Sequence, residues 1–344
     1  MDNVEGTFEC PYLERGGSVL LPVSLLCVTV AFVFLCGAND GGALLAVAVA
    51  HRARGRVAVL LLLGVAVAMA PAVFGLTVAR TFTDRLFAGS AGYLPLVFLA
   101  GVAAATLLVV RLTARGIPTS MTLALLGALS GAALGLGAAP AWGHLVVVLG
   151  IGIAAPFCGV LVGYLLGLAA RRVPGTAAMP GRVRLVQGLA FAGQCLAYAA
   201  NDGQKMFAVV AVATAALGSA ADIPLAATSL AIAVVFTAGS IVSLRRIGRG
   251  ATLSLIPARP WHVASAEVAS SVAVLGSSML GMPVSMTQSA AGGLVGTALT
   301  EGPRRVRWQF TVPMFVAWLV TLPAGFGAGL LAGLGLEGMM QWMA

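Results

Sequence analysis

Two polar strings lie where an apolar chain should not tolerate them. Gly37-Ala38-Asn39-Asp40-Gly41-Gly42 interrupts about thirty apolar residues at 19–50, and Ala199-Ala200-Asn201-Asp202-Gly203-Gln204 repeats the pattern at an offset of 162. A carboxylate at the centre of a membrane span costs about 2.5–3.5 kcal/mol on insertion scales, so it persists only where it faces protein, water or an ion. For either string by itself, a helix kink around a satisfied polar pair is the alternative reading. Packing alone does not need that pair twice at matched positions. The duplication therefore marks a paired site.

The flanking runs must be membrane spans, because the chain is 60% hydrophobic and only 9% charged. A soluble core of that composition would leave no polar surface. Ten apolar segments are expected, at 18–50, 57–79, 94–112, 117–137, 143–170, 186–217, 222–243, 262–282, 283–300 and 308–333. Most are long enough to cross ~30 Å of hydrocarbon. The fold class is an all-α polytopic membrane protein, and its 44 glycines suit close packing through small residues. The five cysteines, Cys10, Cys27, Cys36, Cys158 and Cys195, have neither metal nor disulfide spacing. Four of them lie in apolar runs and read as small buried residues.

The net charge of +9 does not indicate nucleic acid, because the arginines occupy short loops between segments. Arg52, Arg54 and Arg56 fill one loop, and Arg111 and Arg115 the next but one. Arg171, Arg172, Arg182 and Arg184 follow, then Arg245, Arg246, Arg249 and Arg259, then Arg304, Arg305 and Arg307. These alternate loops hold 16 of the 20 basic residues. The positive-inside rule makes them cytoplasmic and places both termini outside a cell (plasma) membrane. Residues 1–17 carry four acids and one arginine, the opposite of a signal-peptide n-region, so no cleaved signal is expected.

In that topology the segments around Asn39 and Asn201 run in opposite directions. A second duplication agrees. Gly116-Ile117-Pro118-Thr119-Ser120-Met121-Thr122 matches Gly281-Met282-Pro283-Val284-Ser285-Met286-Thr287 at an offset of 165. The chain thus divides into an extracellular segment 1–17, a first inverted repeat 18–170, a cytoplasmic linker 171–185, a second inverted repeat 186–333 and a tail 334–344. Each repeat has about five segments. Segments 117–137 and 283–300 are rich in Gly, Ser and Thr and are expected to be broken helices or re-entrant hairpins. Inverted repeats with interrupted helices are the mark of a secondary transporter whose site lies where the halves meet.

The candidate site then combines two chemistries. Proline at a helix start, with Ser or Thr beside it, leaves free amides that favour an anion. Ser120, Thr122, Ser285 and Thr287 add uncharged donors. Asn39, Asp40, Asn201 and Asp202 supply carboxylates and freed carbonyls for a hard cation such as Na⁺, or protonatable groups for H⁺. A lone Pro-x-Ser-x-Thr is more often a kink with back-bonded hydroxyls, and again the duplication decides. Glu267 is a third carboxylate, in the membrane or at its interface. Lys205 lies three residues after Asp202, so an internal ion pair is the expected reading, with a role in holding the site as the second. His51, His144 and His262 fall at segment ends and read as interfacial. A channel, a sensor or a partner subunit could also be built from broken helices, but intramembrane acids in inverted halves favour coupled transport. No nucleophile–base pair, metal cluster or nucleotide loop suggests an enzyme.

These residues resemble the inorganic phosphate transporter (PiT) family, which carries duplicated Gly-Ala-Asn-Asp and Pro-Val-Ser-Thr-Thr-His motifs in inverted halves. The second half is the nearer match, through Ala200-Asn201-Asp202-Gly203-Gln204-Lys205, Glu267 with Ser270-Ser271, Gly281-Met282-Pro283-Val284-Ser285 and the closing Trp308…Trp318-Leu319-Val320-Thr321-Leu322-Pro323. The resemblance covers nearly the whole chain. It implies import of inorganic phosphate coupled to Na⁺ or H⁺, with no other cofactor. Asn39, Asp40, Ser120, Thr122, Asn201, Asp202, Ser285 and Thr287 would meet the substrate. Asp40, Asp202, Gln204 and Glu267 would serve the coupling cation, with Na⁺ expected at Asp40, Asp202 and Glu267. The expected partners are phosphate, that cation, the bilayer and a second copy in a homodimer. Departures from the family pattern are Ala43 in place of a second Asn, Met121 and Met286 in place of Thr, and Leu123 and Gln288 in place of His. They leave sulfate or another oxyanion as the alternative substrate.

Overall fold

In hydrocarbon every peptide group must find its partner within the chain, which leaves helices as the economical solution for these apolar runs. The computed structural model describes residues 20–45, 55–87, 91–172, 179–218, 224–244, 255–256 and 259–343, and its regular structure is entirely helical. Among the described residues, six helices are long and apolar enough to cross a membrane.

Helix α1 (Leu20–Cys36) opens into a widened π-type turn at Gly37–Gly41 and continues to Leu45. Helix α2 (Arg56–Phe74) leads to a four-residue helix α3 (Thr77–Arg80) and another π-type turn at Thr81–Arg85. Helices α4 (Leu94–Ala114) and α5 (Met121–Gly135) form a hairpin around Gly116, and α6 (Trp142–Arg171) closes the first repeat. The second repeat follows the same order. Helix α7 (Met179–Tyr198) ends in a π-type turn at Ala199–Gly203, and α8 (Gln204–Ala216) resumes from it. Then come α9 (Leu225–Leu244), α10 (Pro260–Met279), α11 (Met286–Leu299) and α12 (Trp308–Met343). Both Asn-Asp strings therefore sit in π-type interruptions of helices that otherwise run on, and not in the full breaks expected: Cys36 and Gly42, and Tyr198 and Gln204, keep right-handed helical backbone angles on either side.

The expected broken or re-entrant segments are short helices. At 1.5 Å per residue, α5 and α11 reach only about 21–22 Å, less than the ~30 Å of a hydrocarbon core. Each is preceded by an extended stretch, at 117–120 and 282–285, after a glycine with positive φ, Gly116 or Gly281.

The repeats are interleaved rather than side by side. The short helix α5 of the first repeat packs along α12 of the second, and α11 of the second packs along α6 of the first. Likewise α1 packs on α9, and α7 on α2. Small residues make the long contacts possible. A Cβ on Gly131 would stand 2.0 Å from the Phe326 carbonyl oxygen, and one on Gly329 would stand 2.0 Å from that of Ala128. Helix backbones touch there, as in small-xxx-small packing between membrane helices.

Several boundaries differ from the sequence reading. Helix α7 begins at Met179, so Arg182 and Arg184 belong to its first turns and not to a linker loop; residues 173–178 lie outside the described residues. The expected tail at 334–344 is helical through Met343. Nothing in it breaks a helix, and Leu336 and Met340 pack on the core. Cys36 and Cys195 are buried as expected, but Cys27 and Cys158 face outward from the bundle. His262, at the start of α10, is fully buried within the protein and bonds Glu301 at 3.2 Å, which also pairs with Arg259 and Arg305. Arg171 donates to the Thr300 carbonyl, so the ends of α6, α10 and α11 are tied together at one end of the bundle. The expected segment at 1–17, His51, Arg52, Arg54, Arg245, Arg246 and Arg249 lie outside the described residues.

Candidate substrate and cation site

The two duplicated motifs meet. Asn201, in the break before α8, points at the extended stretch before α11. Its Nδ2 donates to the Val284 carbonyl at 2.5 Å and its Oδ1 accepts from the Val284 N–H at 3.2 Å. Nδ2 also reaches Asp202 Oδ2 at 3.0 Å. Thr122, in the first turn of α5, donates to the same Val284 carbonyl at 3.2 Å. The starts of α5 and α11, from opposite repeats, are thus joined through one peptide group.

Lys205 completes the cluster. Its Nζ lies 2.5 Å from Asp202 Oδ1, 2.5 Å from Thr122 Oγ1 and 3.3 Å from the Val284 carbonyl. All of these side chains are buried. The ion pair expected from the i,i+3 spacing is present, and it is also a bridge to the other half. A buried pair left half-satisfied would be expensive, and here each ammonium proton has an acceptor. Thr122 was expected to donate to an oxyanion, but its one hydroxyl proton is given to Val284. That is a correction.

The first repeat is arranged differently. Asn39 is half-buried; its Nδ2 donates to Asp40 Oδ1 at 2.8 Å, and its Oδ1 accepts from Thr113 at 3.4 Å. Asp40 is buried and interacts electrostatically with Asp202 and Lys205, so the two breaks share one electrostatic centre. Cys36 and Tyr198, each four residues before an Asp, are buried at matched places in the two repeats. Ser240 of α9 caps the opened turn by donating to the Gly37 carbonyl at 3.2 Å.

The hydroxyls also divide. Ser120 caps α5, its Oγ accepting from Leu123 N–H at 3.3 Å. Ser285 holds the equivalent place at α11 without capping it, and its Oγ is 3.1 Å from Thr287 Oγ1. Thr119 Oγ1 is buried with no hydrogen-bond partner among the described residues. In the sequence Thr119 carries no signal beyond its place in the Pro118–Thr122 motif. Its repeat mate is Val284, so no hydroxyl is repeated there to draw notice.

Glu267 lines a cavity of about 20 Å³ with Ala43, Gln194 and Thr287, and its Oε2 is buried without a partner among the described residues. Asp40, Asp202 and Glu267 do not form one metal centre: among the described residues no three His, Cys, Asp or Glu side chains are grouped to hold an ion. The expected cation role of Gln204 also needs correction. Its Oε1 accepts from the N–H groups of Val78 and Ala79, at 2.8 and 3.3 Å, so it caps the short helix α3. Both lone pairs of that oxygen are in use.

A profile described as the phosphate transporter family matches residues 36–187 and again residues 175–329. The chain belongs to the phosphate transporter family. The two matches fall one on each inverted repeat. Curated relatives of this family member include a protein of Rhizobium meliloti, 26% identical over 88% of this chain and 93% of its own length. Another, from Mycobacterium tuberculosis, is 30% identical over 89% of this chain and 75% of its own length. A third, from Bacillus subtilis, is 24% identical over 91% of this chain and 96% of its own length. Each is described as a probable low-affinity inorganic phosphate transporter. A solved structure described as the sodium-dependent phosphate transporter superposes with a TM-score of 0.76, covering 93% of this chain and 99% of that one, at 16% identity. That likeness shows the fold.

Proposed function

We propose that this protein is a secondary active transporter, not an enzyme, that imports inorganic phosphate with a coupling cation by alternating access. Family membership and the descriptions of the curated relatives support the substrate. The observation that carries the reading is the junction of the α5 and α11 N-termini at Val284, beside Asp202. Helix N-termini offer amides to an oxyanion, and Thr119 and Ser285 supply hydroxyls not spent on capping. The Asp40 carboxylate, whose hydrogen bond from Asn39 uses Oδ1, can accept the P–OH proton of hydrogen phosphate. Sulfate has no such proton and would leave that acceptor unused, which favours phosphate.

Alternating access rests on the unequal repeats. Asn201 is fully buried and holds Val284, whereas its mate Asn39 is half-buried and bonds only neighbours in the break and Thr113. That difference between matched residues supports the reading, because alternating access needs two halves that can take unequal arrangements. We place the ends bearing Arg171, Arg259 and Arg305 in the cytoplasm of a plasma-membrane protein, with both termini outside. A cysteine introduced at Gly181, on a background without the native cysteines, should then resist membrane-impermeant reagents in intact cells.

Uptake of labelled phosphate and of labelled sulfate into proteoliposomes, under imposed Na⁺ or pH gradients, tests the main claim. Phosphate should accumulate against its gradient, and excess sulfate should barely reduce it. Sulfate competing as well as unlabelled phosphate would replace this reading with the sulfate one. Flux that never exceeds equilibration would indicate a channel.

A further inference from the structure

The two repeats hold their positive charge differently. Lys205 Nζ is bonded by a carboxylate, a hydroxyl and a carbonyl oxygen: Asp202 Oδ1, Thr122 Oγ1 and Val284 O. Those are the ligand types that hold a small hard cation in an opened membrane helix. The position matching Lys205 in the first repeat, at the offset that relates Asp202 to Asp40, is Ala43. The position matching Thr122 is Thr287. Ala43 and Thr287 both line the cavity of about 20 Å³, together with the partnerless Glu267 carboxylate. That volume suits one water-sized occupant. So where the second half has an ammonium beside its threonine, the first half has a small acid-lined space.

We infer that the Lys205 ammonium is a tethered cation filling the cation position of the second repeat, so that Asp202 takes no free Na⁺. A free coupling cation is then left to the first half, at the Ala43–Thr287–Glu267 cavity. The inference rests on the transport reading above and deepens it by removing one of the cation positions expected from sequence. Three geometric facts support it. The ammonium has as many acceptors as it has protons, so it has no bond to spare for the substrate. Asp202 has its other oxygen on Asn201 Nδ2, so neither oxygen is idle. And the acceptors come from both repeats, which fixes Nζ at a point and not along a flexible stem.

Equilibrium binding of radiolabelled Na⁺ to the purified full-length protein, with no phosphate present, tests the assignment. Lys205→Ala should bind one more Na⁺ per chain than wild type, while Lys205→Met, which fills the space without charge, should show no gain. Asp202→Asn in the otherwise native chain should leave the Na⁺ count unchanged, and this arm decides the matter if Lys205→Ala does not fold. Loss of a bound Na⁺ in Asp202→Asn, or an equal count in a folded Lys205→Ala protein, would overturn the inference. Phosphate binding measured on the same samples keeps the two claims apart. A wild-type protein that binds no phosphate would sink the transport reading, while the Na⁺ counts would still judge the role of Lys205.

Discussion

Asn201 grips the Val284 peptide by both edges, donating to its carbonyl and accepting from its N–H across 83 positions of sequence. Removing the side chain orphans the buried Val284 N–H, which costs about 1–3 kcal/mol when left unpaired, and takes one of three donors from the Val284 carbonyl. Asn201→Ala should therefore lower the thermal unfolding midpoint of the detergent-solubilised protein well beyond Asn39→Ala, whose side chain serves no distant backbone. Equal shifts for the two would mean that the clamp does not hold the second repeat.

Ser120 and Ser285 occupy matched places but do different work. Ser120→Ala removes an N-cap and should cost about 0.5–2 kcal/mol of stability. Ser285→Ala removes an uncapped hydroxyl, so stability should hold while phosphate affinity falls. Isothermal titration with phosphate alongside thermal unfolding reads both. The expectation fails if the two variants exchange roles or behave alike.

Asp40→Asn and Asp202→Asn should each abolish gradient-driven phosphate uptake in proteoliposomes while the protein still inserts. Loss of an intramembrane charge eases insertion by itself, so yield in the membrane fraction is the control. Wild-type uptake with unchanged cation dependence in both variants would remove the carboxylates from the mechanism.

Gly131 stands where any Cβ must meet the Phe326 carbonyl, whereas Gly150 has nothing within 4 Å of its built Cβ. Gly131→Ala should force α5 off α12 and cost about 1–3 kcal/mol, the range of overpacked contacts. Gly150→Ala, on an exposed helix face, should stay within about 0.5 kcal/mol. Unfolding midpoints that match for the two would contradict the close helix contact.

The sequence by itself determined the solvent, the repeat and the places where helices loosen. Hydropathy summed along a run settles membrane insertion, and an Asn-Asp pair with glycine inside such a run marks a place where the helical hydrogen bonding loosens. Those are local properties, and Gly37–Gly41 and Ala199–Gly203 behave accordingly. Partnership is not local. Only the tertiary structure decided that Lys205 reaches Thr122 of the other repeat, that Gln204 caps Thr77–Arg80, and that Glu267 shares a cavity with Ala43 and Thr287. It also decided that α5 and α11 pack in the opposite half, since either glycine-rich helix offers the same small-residue face to any neighbour. A side chain's bonds depend on which backbone groups distant segments bring within about 3 Å of it. Where two repeats carry the same motif, sequence shows the duplication and the exchange of Ala43 for Lys205, and only the packing shows what each of those residues meets.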